Sequence, residues 1–176
     1  MNQTNFWNDA AKYGAIIGGI SAACSLLSDA TGLGVFGLIG FAVYIWLLVY
    51  YTRKRATYFS TPKAEYGYGK RLGFIVAMAL FVGIINAAYT ILASRILFTA
   101  KYAAVYEQMF AIFAKTGLYT NEMIVRMTQM VQSPLWITAS AILGQLILGL
   151  LFGLVLAAIA QPRQQADNRP TNHTEE

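Results

Sequence analysis

Polar and apolar residues follow one another along this chain in blocks. Four apolar blocks stand out, at about 13–30, 34–51, 72–98 and 135–160. A helix needs about 20 predominantly apolar residues to cross about 30 Å of hydrocarbon, and all four blocks are of that order. Peptide groups in lipid must be paired within the chain itself, which makes helices the expected form. The blocks lack the period-two alternation of a barrel strand. The expected fold class is therefore all-α, an integral membrane four-helix bundle.

Breakers separate the blocks. Ser28-Asp29-Ala30-Thr31-Gly32 is a short polar turn, so the first two helices should form a hairpin. Ser133-Pro134 opens the fourth block, with proline in a first turn, where its missing N–H is harmless. Gln161-Pro162-Arg163 ends it. The stretch at 100–132 is too polar to span. Tyr102, Val105, Tyr106, Met109 and Ile112 recur in it at helical spacing. After Gly117 a second stretch aligns Met123, Met127 and Met130. Two short amphipathic helices on the outer face, between helices 3 and 4, account for both patterns. Residues 1–162 then form the membrane domain, and residues 163–176, polar and proline-containing, read as a disordered cytoplasmic tail.

Composition reinforces this picture. The chain has 176 residues, 57% of them hydrophobic and only 12% charged, whereas soluble domains carry about 25% charged residues. The net charge of +5 would point to nucleic acid in a soluble protein. Here the basic residues sit beside apolar blocks, so the expected partner is the lipid bilayer and no nucleic acid is expected. Lys12, Arg53, Lys54, Arg55, Lys63, Lys70, Arg71, Arg163 and Arg169 fall on one side of a four-pass topology; Lys101, Lys115 and Arg126 fall on the other. The positive-inside rule then places both termini in the cytoplasm. Trp7, Tyr13, Trp46, Tyr50 and Tyr51 mark one border, and Tyr102, Tyr106 and Trp136 the other, as amphipathic rings do at headgroup level.

The stretch Lys12-Tyr13-Gly14-Ala15-Ile16-Ile17-Gly18-Gly19 and the later Tyr66-Gly67-Tyr68-Gly69-Lys70-Arg71-Leu72-Gly73-Phe74 carry a resemblance. Together with the helix spacing, they resemble a bacterial family of small four-helix membrane proteins, catalogued as domain of unknown function 4199 and frequent in Bacteroidetes. The resemblance covers residues 11–160 and rests on glycine positions and hydropathy. It implies a multi-pass protein of the bacterial inner membrane. It implies no activity and transfers no functional residue.

Candidate chemistry is sparse. Gly32-Leu33-Gly34-Val35-Phe36-Gly37 fits the dinucleotide string, but it follows a membrane helix and Arg53 stands where an acid is needed. Gly67-Tyr68-Gly69-Lys70 lacks Walker spacing, because Arg71 follows the lysine. Ile20-Ser21-Ala22-Ala23-Cys24 is a poor lipoprotein box, with acidic Asp9 upstream. With a lone cysteine and a lone histidine, His173, no metal site and no cofactor is expected. The methionine stripe could form a metal or partner surface; packing on lipid or on the helices is the favoured reading.

Small residues at four-residue spacing mark packing faces: Gly14 and Gly18 in helix 1, Gly83 with Ala79 and Ala87 in helix 3, Gly149 and Gly153 in helix 4. Without a hydrophobic drive between helices in lipid, such residues let backbones approach. Packing within one bundle is favoured over a homo-oligomer. Arg53, Lys54, Arg55, Lys70 and Arg71 would set topology and meet anionic lipid. Asn86 and Gln145 lie near the middle of their spans, and either hydrogen-bond across helices 3 and 4 or line a polar route. Arg95 is expected to snorkel outward or to pair with Asp29. With no triad or carboxylate pair at depth, the chain reads as non-catalytic: a scaffold or interaction protein with a membrane protein partner. The alternative is a small oligomeric transporter or channel with a polar route near Asn86 and Gln145. A route requires those two residues to face a cavity; a scaffold requires a dry, closed interior.

Overall fold

The computed structural model describes residues 6–60, 66–115, 117 and 119–160. The elements are α1 (Phe6–Thr31), α2 (Val35–Phe59), α3 (Tyr68–Leu92), a π-helical turn (Ala93–Leu97), α4 (Thr99–Lys115), α5 (Asn121–Val131) and α6 (Pro134–Ile159). Among the described residues there is no strand. α1, α2, α6 and α3 with its π-turn are long and apolar enough to cross a membrane. The tail at 163–176 and Lys63 lie outside the described residues.

The helices overrun the apolar blocks. α1 starts at Phe6, about two turns before residue 13, and α2 continues past residue 51 to Phe59. Hydropathy marks where a helix is oily, whereas backbone hydrogen bonds persist until a breaker or cap intervenes. Asp9 in the first turn of α1 also suits the positive end of the helix dipole. Between α1 and α2, Gly32 takes φ +72°, and its N–H reaches Ser28 O at 2.9 Å. That is the left-handed helix stop that glycine adopts without a Cβ penalty. The Thr31 hydroxyl donates to Leu27 O at 2.6 Å and accepts from Leu33 N at 3.3 Å. Ser133 caps α6 by accepting from Trp136 N at 3.2 Å, with Pro134 in the first turn. Thr120 caps α5 by accepting from Met123 N at 3.3 Å.

α3 is the central helix, with α1 on one side and α6 on the other; α2 packs mainly on α1. Its buried residues include Arg71, Phe74, Ile75, Met78, Ala79, Val82, Gly83 and Ala87, a three-and-four spacing. The core combines Phe74, Ile75, Met78 and Val82 with Ile17, Leu47, Leu48, Leu156 and Ala157. Close approach is built on glycine. A Cβ at Gly14 would stand 2.7 Å from Met78 O, one at Gly18 3.0 Å from Ile85 Cβ, and one at Gly83 2.9 Å from Ile142 Cα. At Gly149 it would meet Ala79 Cβ at 2.5 Å, and at Gly153 Leu72 Cδ1 at 2.9 Å. The outward faces are apolar: Leu38 is 72% exposed, Leu135 82%, and Leu143, Ile147, Leu151 and Val155 line the outside of α6.

One end is closed by a buried arginine. Arg55, 8% exposed, is ion-paired with Asp9, and its guanidinium lies over the rings of Phe6, Phe59 and Phe74 at 5.4, 4.6 and 4.8 Å. Its Nε donates to Tyr66 Oη at 3.3 Å. Arg71, 5% exposed, donates to Tyr66 O at 3.2 Å. The stem and charge of Arg55 thus tie the start of α1 to the end of α2 and the start of α3.

Two outcomes follow. Gly149→Ala should lower stability by about 1–3 kcal/mol through overpacking against Ala79, while Gly144→Ala, with nothing within 4 Å, should leave it unchanged; unfolding in detergent measures both. Asp9→Asn should cost about 2–3 kcal/mol, because it strands the Arg55 charge, and equal stability of wild type and variant would contradict that role.

Candidate functional site: a polar cleft at mid-helix

Asn86 and Gln145 line one cavity of about 160 Å³, walled by α1, α2, α3 and α6. Ser21, Cys24 and Ser25 come from α1, and Tyr44 from α2. The volume is enough for a few waters, at about 30 Å³ each, or for one polar side chain. Gly37 and Gly40 shape the α2 wall. Gly40 lies against α1, where a Cβ would be 2.8 Å from Cys24 Cβ, while nothing stands within 4 Å of a Cβ built on Gly37. Toward the arginine end, Phe41 of α2 lies edge-on to Phe152 of α6, with ring centroids 5.6 Å apart, and Leu47 and Leu48 of α2 are buried in the core.

The cavity is short of partners. Gln145 Oε1 and the Tyr44 hydroxyl are buried and have no hydrogen-bond partner among the described residues. No bond joins Asn86 to Gln145; the Asn86 carbonyl accepts from the Thr90 hydroxyl at 2.8 Å. Buried polar groups are almost always paired, and an orphan costs about 1–3 kcal/mol. The side chain that carries this unpaired acceptor lines the cavity together with an amide and two serines. Its chemistry is hydrogen bonding: among the described residues, no group of three His, Cys, Asp or Glu could hold a metal.

The other singled-out residues fall elsewhere. Asp29 does not pair with Arg95. Its Oδ1 accepts from Lys101 Nζ at 2.9 Å, and its Oδ2 from the hydroxyls of Tyr89 at 2.7 Å and Tyr102 at 3.2 Å. Burial, and then the Asp29 charge beside it, push the Tyr102 phenol up to about 12, so it stays a donor to that carboxylate at any ordinary pH. Arg95 instead points outward and donates to Gln132 O at 3.1 Å. The reason is the π-turn: it shifts the register of Arg95, while α4 begins at once and brings Lys101 back over the end of α1. Of the five basic residues at the opposite end, Lys54 and Lys70 are exposed. Arg53 donates to Ile159 O at 3.0 Å, and Arg55 and Arg71 are internal. The glycine string 32–37 joins two helices, without the strand that a dinucleotide site requires.

Hydropathy draws attention to Asn86 and Gln145, because amides are rare at depth. The polar Ser21 stands out in the same way within α1; Ser25 and Tyr44 give no such signal, and only the meeting of four helices joins them to the cleft. Comparison with protein-family models, curated proteins and solved structures returns no match.

Gln145→Leu should leave stability unchanged or raise it by about 1 kcal/mol, because it removes an unpaired acceptor. A clear fall in the detergent melting temperature would show that the amide is a structural clamp.

Proposed function

We propose that this chain is a four-pass integral membrane protein that acts by binding, not catalysis, and that the cleft at Gln145 is its recognition element. Four helices of membrane-spanning length with apolar outward faces support the placement, since lipid is the solvent that accepts such a surface. On this reading α1, α2, α3 and α6 form the transmembrane bundle, with α4 and α5 lying on the outer face. The arginine end is cytoplasmic, and so are both termini. The resemblance noted above adds a bacterial inner membrane and the family of domain of unknown function 4199 as its setting.

One observation carries the functional reading: Gln145, whose Oε1 is buried and unpartnered among the described residues, lines a cavity with Asn86, Ser21 and Ser25. The occupant we assign is a partner transmembrane helix with a polar side chain at matching depth. In the bilayer such a bond specifies register as well as affinity, at about 0.6 kcal/mol on average. The exposed Leu38 and Ile39 on α2 and Leu143 and Ile147 on α6 offer apolar surface on either side of it.

A second reading, a small oligomeric transporter or channel, takes support from the same cavity, since Asn86 and Gln145 would begin its polar route. The apolar packing of Phe41 on Phe152 and of Leu47 and Leu48 in the core counts against such a route on the cytoplasmic side, and this places it second.

The expected result is a membrane protein that co-purifies with this chain in mild detergent and is lost from Gln145→Leu and Asn86→Leu, both still folded. Ion or solute flux through the chain alone in liposomes, abolished by the same changes, would reverse the order. Reporter fusions should place both termini in the cytoplasm; a periplasmic C-terminus would overturn the topology.

A further inference from the structure

A second cavity lies at the opposite end from Arg55, between the π-turn, α4 and the start of α6. Its volume is about 340 Å³, and Arg95, Thr99, Tyr102, Tyr106 and Gln132 contribute to its wall. We infer that this cavity binds the phosphate of an anionic headgroup or of a small phosphate ester, with Arg95 as the counter-charge.

Among the described residues Arg95 has no carboxylate partner. Arg95 is exposed, and its one hydrogen bond goes to a neutral carbonyl, Gln132 O. The nearby carboxylates are otherwise engaged or turned away. Asp29 is held by Lys101, Tyr89 and Tyr102. Glu122 is bridged to Arg126 at 2.7 Å, and Glu107 is exposed and not part of the wall. A guanidinium offers a planar fork that fits two phosphate oxygens at once.

The donors around it are of the right kind. Thr99 and Tyr106 line the cavity, and their hydroxyls have no hydrogen-bond partner among the described residues. Thr99, Tyr102, Ala103 and Tyr106 follow one another at three-and-four spacing, so one face of α4 forms the wall. The π-turn makes this possible. Phe98 N reaches back five residues to Ala93 O at 2.7 Å, and the extra residue per turn rotates Arg95 into the space that α4 leaves. Such turns frequently mark functional sites.

Size and depth select phosphate. The volume falls in the range of ligand pockets, about 300–1,000 Å³, and exceeds what a lone carboxylate needs. Tyr102, Tyr106 and Trp136 stand at this end of the spans, where amphipathic rings meet the headgroups. The lipid source rests on the membrane placement proposed above; a soluble phosphate ester does not.

Two ligand arms separate the sources. In the first, purified protein exchanged into detergent with phosphatidylglycerol or phosphatidylcholine is examined by native mass spectrometry. In the second, glycerol 3-phosphate is titrated in lipid-free detergent, with the melting temperature as readout. A lipid site predicts selective retention of phosphatidylglycerol, weakened about tenfold or more in Arg95→Gln. A site for a soluble ester predicts a melting shift that Arg95→Gln abolishes. Identical behaviour of wild type and Arg95→Gln in both arms overturns the inference. Should Arg95→Gln not fold, the Thr99→Val/Tyr106→Phe double variant keeps the charge and removes two donors; binding unaltered in that variant overturns it equally.

Discussion

Backbone-to-backbone proximity of α3 with α1 and α6 is the constraint from which the remaining geometry follows. Helices in a bilayer gain nothing by hiding oily side chains from one another, because acyl chains are equally oily. What they gain is dispersion energy at short range, and that requires the absence of side-chain bulk. Gly14 and Gly18 admit α3 from one side, and Gly83, Gly149 and Gly153 admit α6 from the other. α3 is thereby the most buried of the four long helices, and α2 is left on the flank of α1.

That asymmetry creates the cleft. α2 leans on α1 through Gly40 and Cys24, and meets α6 through Phe41 and Phe152 and through the core residues Leu47 and Leu48. Beside Gly37 the helices separate, and the space is lined by polar groups from four helices. An interior built for stability alone would fill this space with a leucine at 145. Keeping an amide with a buried, unpaired acceptor there is the local inconsistency expected of a functional position.

The two ends of the long helices are held by contrasting electrostatics. At one end a single guanidinium is sandwiched by three phenyl rings and neutralised by Asp9, a dry arrangement that relies on its partner being present. At the other, the carboxylate of Asp29 gathers an ammonium and two phenols from α3 and α4. Because Asp29 is already satisfied by Lys101, Arg95, six residues earlier, has no carboxylate partner among the described residues and bonds the Gln132 carbonyl instead. The same local event, the π-turn at Ala93–Leu97, sets both assignments.

The amino-acid order alone determined the helical class, the four long apolar helices, the hairpin at Gly32 and the start of the last long helix at Ser133-Pro134, because length, periodicity and breakers are local properties of a chain. It also marked Asn86 and Gln145, since an amide amid apolar residues is conspicuous without any fold. Helix limits escaped it at Phe6 and Phe59, where hydrogen bonding outlasts hydropathy. Only the tertiary structure decided that Asp29 takes Lys101 rather than Arg95, that Arg55 and Arg71 turn inward while Lys54 and Lys70 stay outside, and that Ser21, Ser25 and Tyr44 share a cavity with the two amides. Those outcomes depend on rotation about helix axes and on which helices touch, and a residue's place in the sequence encodes neither until backbones come within van der Waals reach.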